Sequence, residues 1–168
     1  ADIAGKRIVV AGGYSGIVTQ TVAALASAGA HVLVGARRLN QANEVLSALE
    51  GDISEHELDL SNPALIDAFA AQVAEKWDRI DILINNAAVM ANPLTRDSRG
   101  YESQFATNHL GHFQLTARLW PLLAAAKGAR VVALSSLGPR LGAPDLDDPN
   151  WETRESQKWP AYGAAQSA

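Results

Sequence analysis

The sequence predicts an α/β protein built on a doubly wound parallel sheet. Short apolar runs rich in β-branched residues alternate with longer stretches of helical period. Runs such as RIVVA at residues 7–11 and DILIN at residues 81–85 are apolar almost throughout. Nearly continuous apolar strands are expected when helices cover both faces of a parallel sheet. The alternation therefore favours βαβ units joined by right-handed crossovers.

The apolar runs predict strands at residues 8–11, 31–35, 57–60, 82–85 and 130–135. The stretches of helical period predict helices at residues 17–28, 41–49, 63–77 and roughly 101–126. Ser61 or Asn62 is the expected N-cap of the third helix, because Pro63 suits the first turn. The long connection at residues 137–160 is typical of a functional loop rather than a linker.

Composition excludes several classes of function. The chain has 168 residues, which fits one domain with a core of its own. Its 14 basic and 18 acidic side chains leave a mildly acidic protein without a basic run, so nucleic acid is not an expected partner. No apolar stretch reaches the ~18 residues of a membrane span. The absence of cysteine excludes disulfides and thiolate chemistry and fits a cytoplasmic location.

A glycine-rich turn, AGGYSGIV at residues 11–18, joins the first predicted strand to the first predicted helix. Gly12 and Gly16 let the backbone turn tightly and approach a pyrophosphate at the N-terminus of the helix that begins at Ile17. The alternative is a tight turn with a purely structural role. Neither a P-loop nor a hydrolase nucleophile elbow fits this segment, because no Gly-Lys-Ser/Thr follows and Ser15 lacks the required neighbours.

Two arginines, Arg37 and Arg38, follow the second predicted strand in the segment GARR. A carboxylate at this place would bind the ribose hydroxyls of NAD, whereas guanidinium groups suit the 2′-phosphate of NADP. The alternative is a pair of solvated arginines. The position after the second strand favours NADP as the cofactor.

Several motifs occur in the order and spacing of one known family. The segments AGGYSGIV, LDL, LINNAAVM, TNHLGHF, VVALSS and AYGAAQ make the chain resemble the short-chain dehydrogenase/reductase family from Gly5 to its last residue. The segment DDPNWETRESQKWPAYG resembles the branch of retinol dehydrogenase-like and protochlorophyllide reductase-like enzymes. The resemblance implies a Rossmann-like fold with further strands after the tyrosine helix. Residues 1–168 are therefore expected to form a single NAD(P)-binding domain that is incomplete at its C-terminus.

The resemblance also implies which residues bind the cofactor and which are catalytic. It assigns the pyrophosphate to Gly12, Ser15, Gly16 and Ile17, the 2′-phosphate to Arg37 with Arg38 beside it, adenine to Asp59 and Leu60, and the ribose to Asn86. It assigns catalysis to Ser136, Tyr162 and Asn108, with Gln166 at the position where the family has a lysine. Ala11, Val18 and Ala88 are further departures from the family pattern. His109 and His112 lack carboxylate partners at ligand spacing, so no metal site is expected.

The chemistry of these residue types supports the assignment independently. Hydride delivery to a carbonyl builds negative charge on its oxygen, so a phenol that donates a proton and a hydroxyl that donates a hydrogen bond both lower the barrier. In this scheme Tyr162 is the acid/base, Ser136 binds the oxyanion, Asn108 holds a relay water and Gln166 contacts the cofactor ribose. Taken singly, each residue has a structural alternative: a strand end for Ser136, a surface or capping residue for Asn108, and a packing residue for Tyr162.

The sequence thus predicts an NADP(H)-dependent oxidoreductase that interconverts a carbonyl and an alcohol on a small lipophilic or cyclic substrate. We expect it to favour reduction, because Gln166 brings no positive charge to Tyr162. The alternative is a nucleotide-binding protein of the same fold that has lost turnover and acts as a sensor or partner-binding subunit. A hydrolase with Ser136 as its nucleophile is not expected, because the sequence contains no nucleophile elbow. A homo-oligomer is compatible with the resemblance.

Overall fold

The computed structural model describes residues 2–12, 14, 16–145 and 147–168. Its strands are β1 Arg7–Ala11, β2 His31–Ala36, β3 Asp52–Glu57, β4 Ile82–Asn85 and β5 Arg130–Ala133. Its α-helices are α1 Ile17–Ser27, α2 Leu39–Leu46, α3 Pro63–Lys76, α4 Ser103–Phe105, α5 His112–Ala125 and α6 Lys158–Ser167. A π-helical turn, Ala106–Gly111, joins α4 to α5, and a 3₁₀ turn covers Gly138–Leu141.

Within the described residues the five strands form one parallel sheet in the spatial order β3-β2-β1-β4-β5. Side chains of β1 alternate between its two faces, since Val9 packs with α3 and α5 while Val10 packs with α1 and α2. The residues that form the cores of both layers are buried. The predicted doubly wound parallel α/β fold is confirmed, and its strands read as apolar because both faces are covered.

The third predicted strand is wrong in its position. The sequence analysis placed it at residues 57–60, but β3 is Asp52–Glu57 and pairs with β2 from Asp52 opposite His31. This strand lies at the sheet edge, so its side chains are half-buried or exposed and carry little of the apolar signal that marks the inner strands. The apolar residues Leu58 and Leu60 follow the strand and enter the core from its C-terminal end.

The helix predicted at residues 101–126 is present but divided. Its central turn is π-helical, and Gly111 in that turn lies so close to Leu60 that an added Cβ would be 2.4 Å from the Leu60 carbonyl oxygen. The predicted cap of α3 is resolved in favour of Asn62, whose Oδ1 accepts a hydrogen bond from the Ala64 amide at 3.1 Å. The second helix begins at Leu39 and ends at Leu46, earlier than predicted at both ends.

Val18, which stands where the family has a third glycine, is accommodated within the core. Its side chain is 6% exposed and packs in the same layer as Ile8, Val10 and Val22. A glycine at this place permits close packing of helix and strand. Here a valine fills the space between α1 and the sheet instead.

β5 stands at the other end of the sheet, opposite β3. Its four residues are exposed, with Val131 and Val132 each at 43%. Among the described residues, none of the helices combines the length and the apolarity that crossing a membrane requires.

Candidate active site

The sequence-predicted site residues gather at the carboxyl ends of the strands. The chain order reverses between β1 and β4, which are neighbours in the sheet but are separated by β2 and β3 along the chain. In open parallel sheets such a reversal opens a crevice for ligands, because the connections on its two sides leave in opposite directions. Two adjoining cavities, which share Ala88, occupy this crevice.

The first, which we call the Arg37 cavity, encloses about 760 Å³ of empty space that is open to solvent. Its walls include four predicted cofactor residues, Gly12, Arg37, Asp59 and Leu60. The Asp59 Oδ1 accepts hydrogen bonds from the Ser61 amide at 2.9 Å and the Ser61 hydroxyl at 2.6 Å. This local turn holds the segment after β3 open towards the cavity.

Gly12 lies where β1 enters the crevice and has a φ of 125°. A Cβ on it would lie 2.7 Å from the Ala87 backbone nitrogen, so any side chain would collide with the segment that follows β4. A glycine is required there, and its bare backbone leaves room for a ligand to approach. Gly16 is the N-cap of α1, with a φ of 63°. Ser15, the remaining predicted residue of this turn, lies outside the described residues.

The two arginines after β2 have different surroundings. Arg37 lines the Arg37 cavity. Arg38 donates from Nη1 to the Gln41 Oε1 at 3.3 Å, and the same oxygen accepts a hydrogen bond from the Tyr14 hydroxyl at 2.8 Å. Tyr14 also lines the cavity, so the Tyr14–Gln41–Arg38 chain joins the glycine-rich turn to the start of α2.

The second, which we call the Tyr162 cavity, encloses about 980 Å³ of empty space and is wider and more open. Tyr162 and Gln166 lie one turn apart on α6 and both line it. The predicted cofactor residues Gly16, Ile17 and Asn86 line its other side. Tyr162 is 7% exposed, so most of its side chain is packed, and the residue lines the cavity.

Ser136 is brought next to Tyr162 by the 3₁₀ turn. Its Oγ accepts a hydrogen bond from the Gly138 amide at 3.0 Å. A Cβ built on Gly138 would lie 2.7 Å from the Tyr162 Cε1 and 3.4 Å from the Ser136 Oγ, so the hydroxyl and the phenol ring flank the same glycine. Ser135, which precedes it, lines the Tyr162 cavity.

Asn108 lies in the π-helical turn and binds the loop that follows β4. Its Oδ1 accepts from the Val89 amide at 2.9 Å, and its Nδ2 donates to the Val89 carbonyl at 2.8 Å. One amide hydrogen and one oxygen lone pair remain for a water molecule. π-Helical turns are frequent at functional sites, because they free backbone carbonyls and re-aim side chains.

The carbonyl of Asn108 is itself a hydrogen-bond partner of a half-buried histidine. The Nδ1 of His112 lies 3.0 Å from the Asn108 carbonyl oxygen, and its Nε2 is buried without a partner among the described residues. Burial lowers the pKa of the His112 imidazole, and nearby His109 lowers it further, whereas the bond to Asn108 raises it. The neutral ring with a proton on Nδ1 satisfies this geometry.

Several residues that shape the site were not predicted from the sequence. Buried Gln104 supports it from α4 and buried Glu102 caps that helix, and Tyr14 and Val89 contribute through the glycine-rich turn and the loop after β4. The available signals were weak: Gln104 precedes Asn108 by one helical turn, and Tyr14 is an aromatic side chain within a glycine-rich segment. Neither signal distinguishes a residue that supports the site through hydrogen bonds from an exposed polar residue.

A sequence model of a known family matches most of this chain. The family described as short chain dehydrogenase matches residues 6–146. The chain belongs to the short-chain dehydrogenase/reductase family.

Curated relatives support the retinol dehydrogenase-like branch. The chain is 39% identical over 167 residues to retinol dehydrogenase 13 of Homo sapiens, covering 96% of this chain and 50% of that protein. It is 35% identical over 172 residues to retinol dehydrogenase 12 of Mus musculus, covering 99% of this chain and 54% of that protein. The chain thus spans about half the length of these relatives.

Solved structures share the fold. A crystal structure of a Mycobacterium paratuberculosis protein has a TM-score of 0.88 at 34% identity, over 98% of this chain and 59% of that one. The Pseudomonas aeruginosa RhlG/NADP active-site complex has a TM-score of 0.74 at 29% identity, over 98% of this chain and 63% of that one. The parallel sheet and its crevice are therefore features of the family fold.

Proposed function

We propose that this protein is an NADP(H)-dependent oxidoreductase that interconverts a carbonyl and an alcohol and favours reduction. The observation that carries the proposal is the shared cavity: Tyr162 and Gln166 line it from α6, opposite Gly16 and Asn86. A proton donor and the residues of a dinucleotide site thus meet in one space. The bare backbone at Gly12 and the walls of the Arg37 cavity fit the remainder of a dinucleotide.

In this proposal the chain's own residues donate the proton and stabilise the negative charge that develops on the substrate oxygen. The bound dinucleotide supplies the hydride for reduction or accepts it in oxidation. The Tyr162 hydroxyl donates its proton to the carbonyl oxygen, and the Ser136 hydroxyl donates a hydrogen bond to the same oxygen. Asn108 holds the loop that begins with Asn86 and, with its remaining amide hydrogen, a relay water.

The choice of NADP over NAD rests on Arg37. Arg37 lines the cavity, and a guanidinium group can bind a phosphate through two parallel hydrogen bonds. Arg38 remains part of the proposed site through Gln41 and Tyr14. The Pseudomonas aeruginosa structure, named as an NADP complex, supports a phosphorylated cofactor in a relative.

The preference for reduction rests on Gln166. Alcohol oxidation needs a phenolate, and a phenol with a pKa of about 10 is only ~0.1% ionised at pH 7. A lysine would favour the phenolate by its charge, whereas a glutamine offers only hydrogen bonds. Reduction starts from the neutral phenol, so it is expected to suffer less from the missing charge.

The substrate class is proposed from the cavity and the relatives. Leu134 and Ile17, two exposed apolar residues, line the Tyr162 cavity. Relatives named retinol dehydrogenases support a lipophilic alcohol or aldehyde. A single NAD(P)-binding domain and a cytoplasmic location complete the proposal, and a homo-oligomer is compatible with it.

Gln166 also favours a second candidate function, a nucleotide-binding protein without turnover. The two are separated by titrating NADPH into the protein and then following NADPH absorbance with a panel of aldehydes, ketones and quinones. Oxidation of NADPH with any of these carbonyls supports the enzyme. Tight NADPH binding without oxidation across the panel would support the sensor or partner-binding subunit.

A further inference from the structure

Gln104 is a polar side chain in an almost fully buried place. It is 1% exposed, and its amide makes two hydrogen bonds to backbone atoms of two separate segments. The Oε1 accepts from the Ala91 amide at 2.8 Å, and the Nε2 donates to the Lys158 carbonyl at 3.2 Å. Because a buried amide is costly unless it is bonded, this side chain is held in one orientation by both partners.

The two segments that Gln104 joins carry opposite walls of the Tyr162 cavity. Ala91 lies in the loop between β4 and α4, in which Asn86 and Ala88 line the cavity. Lys158 is the first residue of α6, and in the α-helical pattern its carbonyl accepts the backbone N–H of Tyr162, four residues later. Gln104 therefore bonds to the carbonyl to which the Tyr162 backbone is tied.

The loop after β4 is fastened twice on the same helical face. Asn108, one turn after Gln104, binds Val89, and Gln104 binds Ala91 two residues further along. Ala91 has a φ of 52°, an uncommon conformation for a residue with a Cβ, and surrounding contacts must hold it there. Of these two braces, the Gln104 amide also reaches α6.

We propose that Gln104 is a positioning residue that sets the distance between the Tyr162 helix and the loop bearing Asn86. This inference rests on the proposed function, in which Tyr162 donates a proton to a substrate held against that loop. Gln104 touches neither reactant and acts through Ala91 and Lys158. A displacement of about 1 Å in such an arrangement can lower turnover by roughly 10²-fold.

The test compares Gln104→Met with Gln114→Met in the full-length protein. Methionine keeps the length of glutamine and removes both hydrogen bonds. Gln114 is the matched control, because its Nε2 also bridges segments, to the Pro63 carbonyl at 3.1 Å and the Asp67 carboxylate at 2.8 Å, on a helix face away from the cavity. Gln104→Glu is the second variant, since its ionised carboxylate keeps an acceptor for Ala91 and has no donor for Lys158.

Steady-state NADPH oxidation and amide hydrogen exchange are measured on each variant. We expect Gln104→Met and Gln104→Glu to lower kcat by roughly tenfold or more while the KM for carbonyl and the Kd for NADPH stay within about twofold. Exchange is expected to rise in the first turn of α6 and at residues 89–91. Gln114→Met is expected to leave kcat and these amides close to wild type.

Unchanged kcat in a folded Gln104 variant, or an equal loss of kcat in Gln114→Met, would overturn the inference. If the wild type oxidises no NADPH with any carbonyl, the proposed function fails instead. The exchange measurement then decides the positioning role alone: unchanged exchange in α6 of the Gln104 variants overturns it, and faster exchange confined to α6 and residues 89–91 supports it.

Discussion

At the scale of single residues, the two neighbouring arginines after β2 illustrate how a local pattern divides into two roles. Arg37 lines the Arg37 cavity, whereas Arg38 donates a hydrogen bond to Gln41. A flexible, solvated arginine loses side-chain entropy when it binds a phosphate. The tether through Gln41 and Tyr14 places Arg38 beside the turn before any ligand arrives.

Arg37→Ala is expected to weaken NADPH binding roughly tenfold or more, because a hydrogen bond to a charged group is worth about 1.5–3 kcal/mol. NADH binding, which involves no 2′-phosphate, should change by no more than about twofold. Titration of both cofactors against tryptophan fluorescence measures this. Arg38→Ala is the matched comparison, with a smaller expected loss. Equal weakening of NADPH and NADH in Arg37→Ala would contradict the assignment, as would tighter binding of NADH by the wild type.

Gln166→Lys is expected to raise alcohol oxidation more than carbonyl reduction and to lower the pH optimum of oxidation. Two opposite charges ~4 Å apart attract by about 4 kcal/mol at an effective dielectric of 20, before desolvation. If this attraction lowers the pKa of a phenol by even one unit, the phenolate fraction near neutral pH rises about tenfold. Initial rates in both directions between pH 6 and 9 measure the effect.

Gln157→Lys is the control for this change, because it places the same charge at the exposed N-cap of α6, away from the cavity. It should leave both directions unchanged. If Gln166→Lys is inactive in both directions, the missing lysine is not what abolishes catalysis. That result would favour the nucleotide-binding protein without turnover. Brisk alcohol oxidation by the wild type at pH 7 would contradict the account of Gln166.

At the scale of elements, α1 depends on Val18 for its contact with the sheet. The side chain is buried beside Ile8 and Val10 of β1, although the glycine-rich turn before it is exposed at Gly16. The helix therefore presents its N-terminus to the crevice while its first turn is anchored in the core. That anchoring explains how the chain keeps the turn without the third glycine.

Val18→Ala is expected to lower the free energy of unfolding by roughly 1–3 kcal/mol, because it removes buried methyl groups and leaves a cavity. Val18→Gly should lower the free energy of unfolding by about 1 kcal/mol more than Val18→Ala, because glycine has a lower helix propensity. Urea denaturation measures both. Gln20→Ala, at an exposed position of the same helix, is the control and should stay within about 0.5 kcal/mol of wild type. A more stable Val18→Gly would show that the family glycine is the better fit.

At the scale of the whole molecule, stability is coupled to pH through histidines in the folded chain. Burial lowers the pKa of His112 below the ordinary value of 6.5, and burial with the charge of Lys76 lowers that of His56. The unfolded chain therefore binds protons at these positions before the folded chain does. Stability is full above about pH 6.5 and is lost as the pH falls from there towards the folded pKa.

Wild-type protein is expected to lose stability between pH 7.5 and pH 5.5, and His112→Gln to lose less. Glutamine can still donate to the Asn108 carbonyl but takes up no proton in this range. Urea denaturation at both pH values measures the difference. His56→Gln is measured in the same way, because the pKa of His56 is also lowered in the folded chain. Hydrogen bonds from the amides of Glu152 and Thr153 lower the pKa of the Asp148 carboxyl. Carboxyl groups of this kind change stability only below about pH 4, outside the range of this test. Equal losses in wild type and His112→Gln would contradict this attribution.

Much of the fold and part of the site could be predicted from local signals. Four of the five strands lie where the apolar runs indicated. For β1, β2 and β4 the reason is that inner parallel strands are buried on both faces and their composition shows it, whereas β5 is an exposed edge strand that is nevertheless apolar. β3 was misplaced, since an edge strand carries polar side chains and its neighbours Leu58 and Leu60 carry the apolar signal. The π-helical turn had no sequence signal at all.

The sequence by itself determined the order of the elements, the glycine-rich turn and the chemical types at the crevice. These follow from hydrophobic period and from residues such as Gly12, whose backbone conformation excludes a side chain. Only the tertiary structure decided that Arg38 bonds to Gln41, that Val18 fills the core, and that Gln104 joins two walls of the site. The physical reason is that period and propensity act between near neighbours in sequence. A hydrogen bond from the buried Gln104 side chain to a carbonyl 54 positions away depends on how the packed elements bring the two segments together.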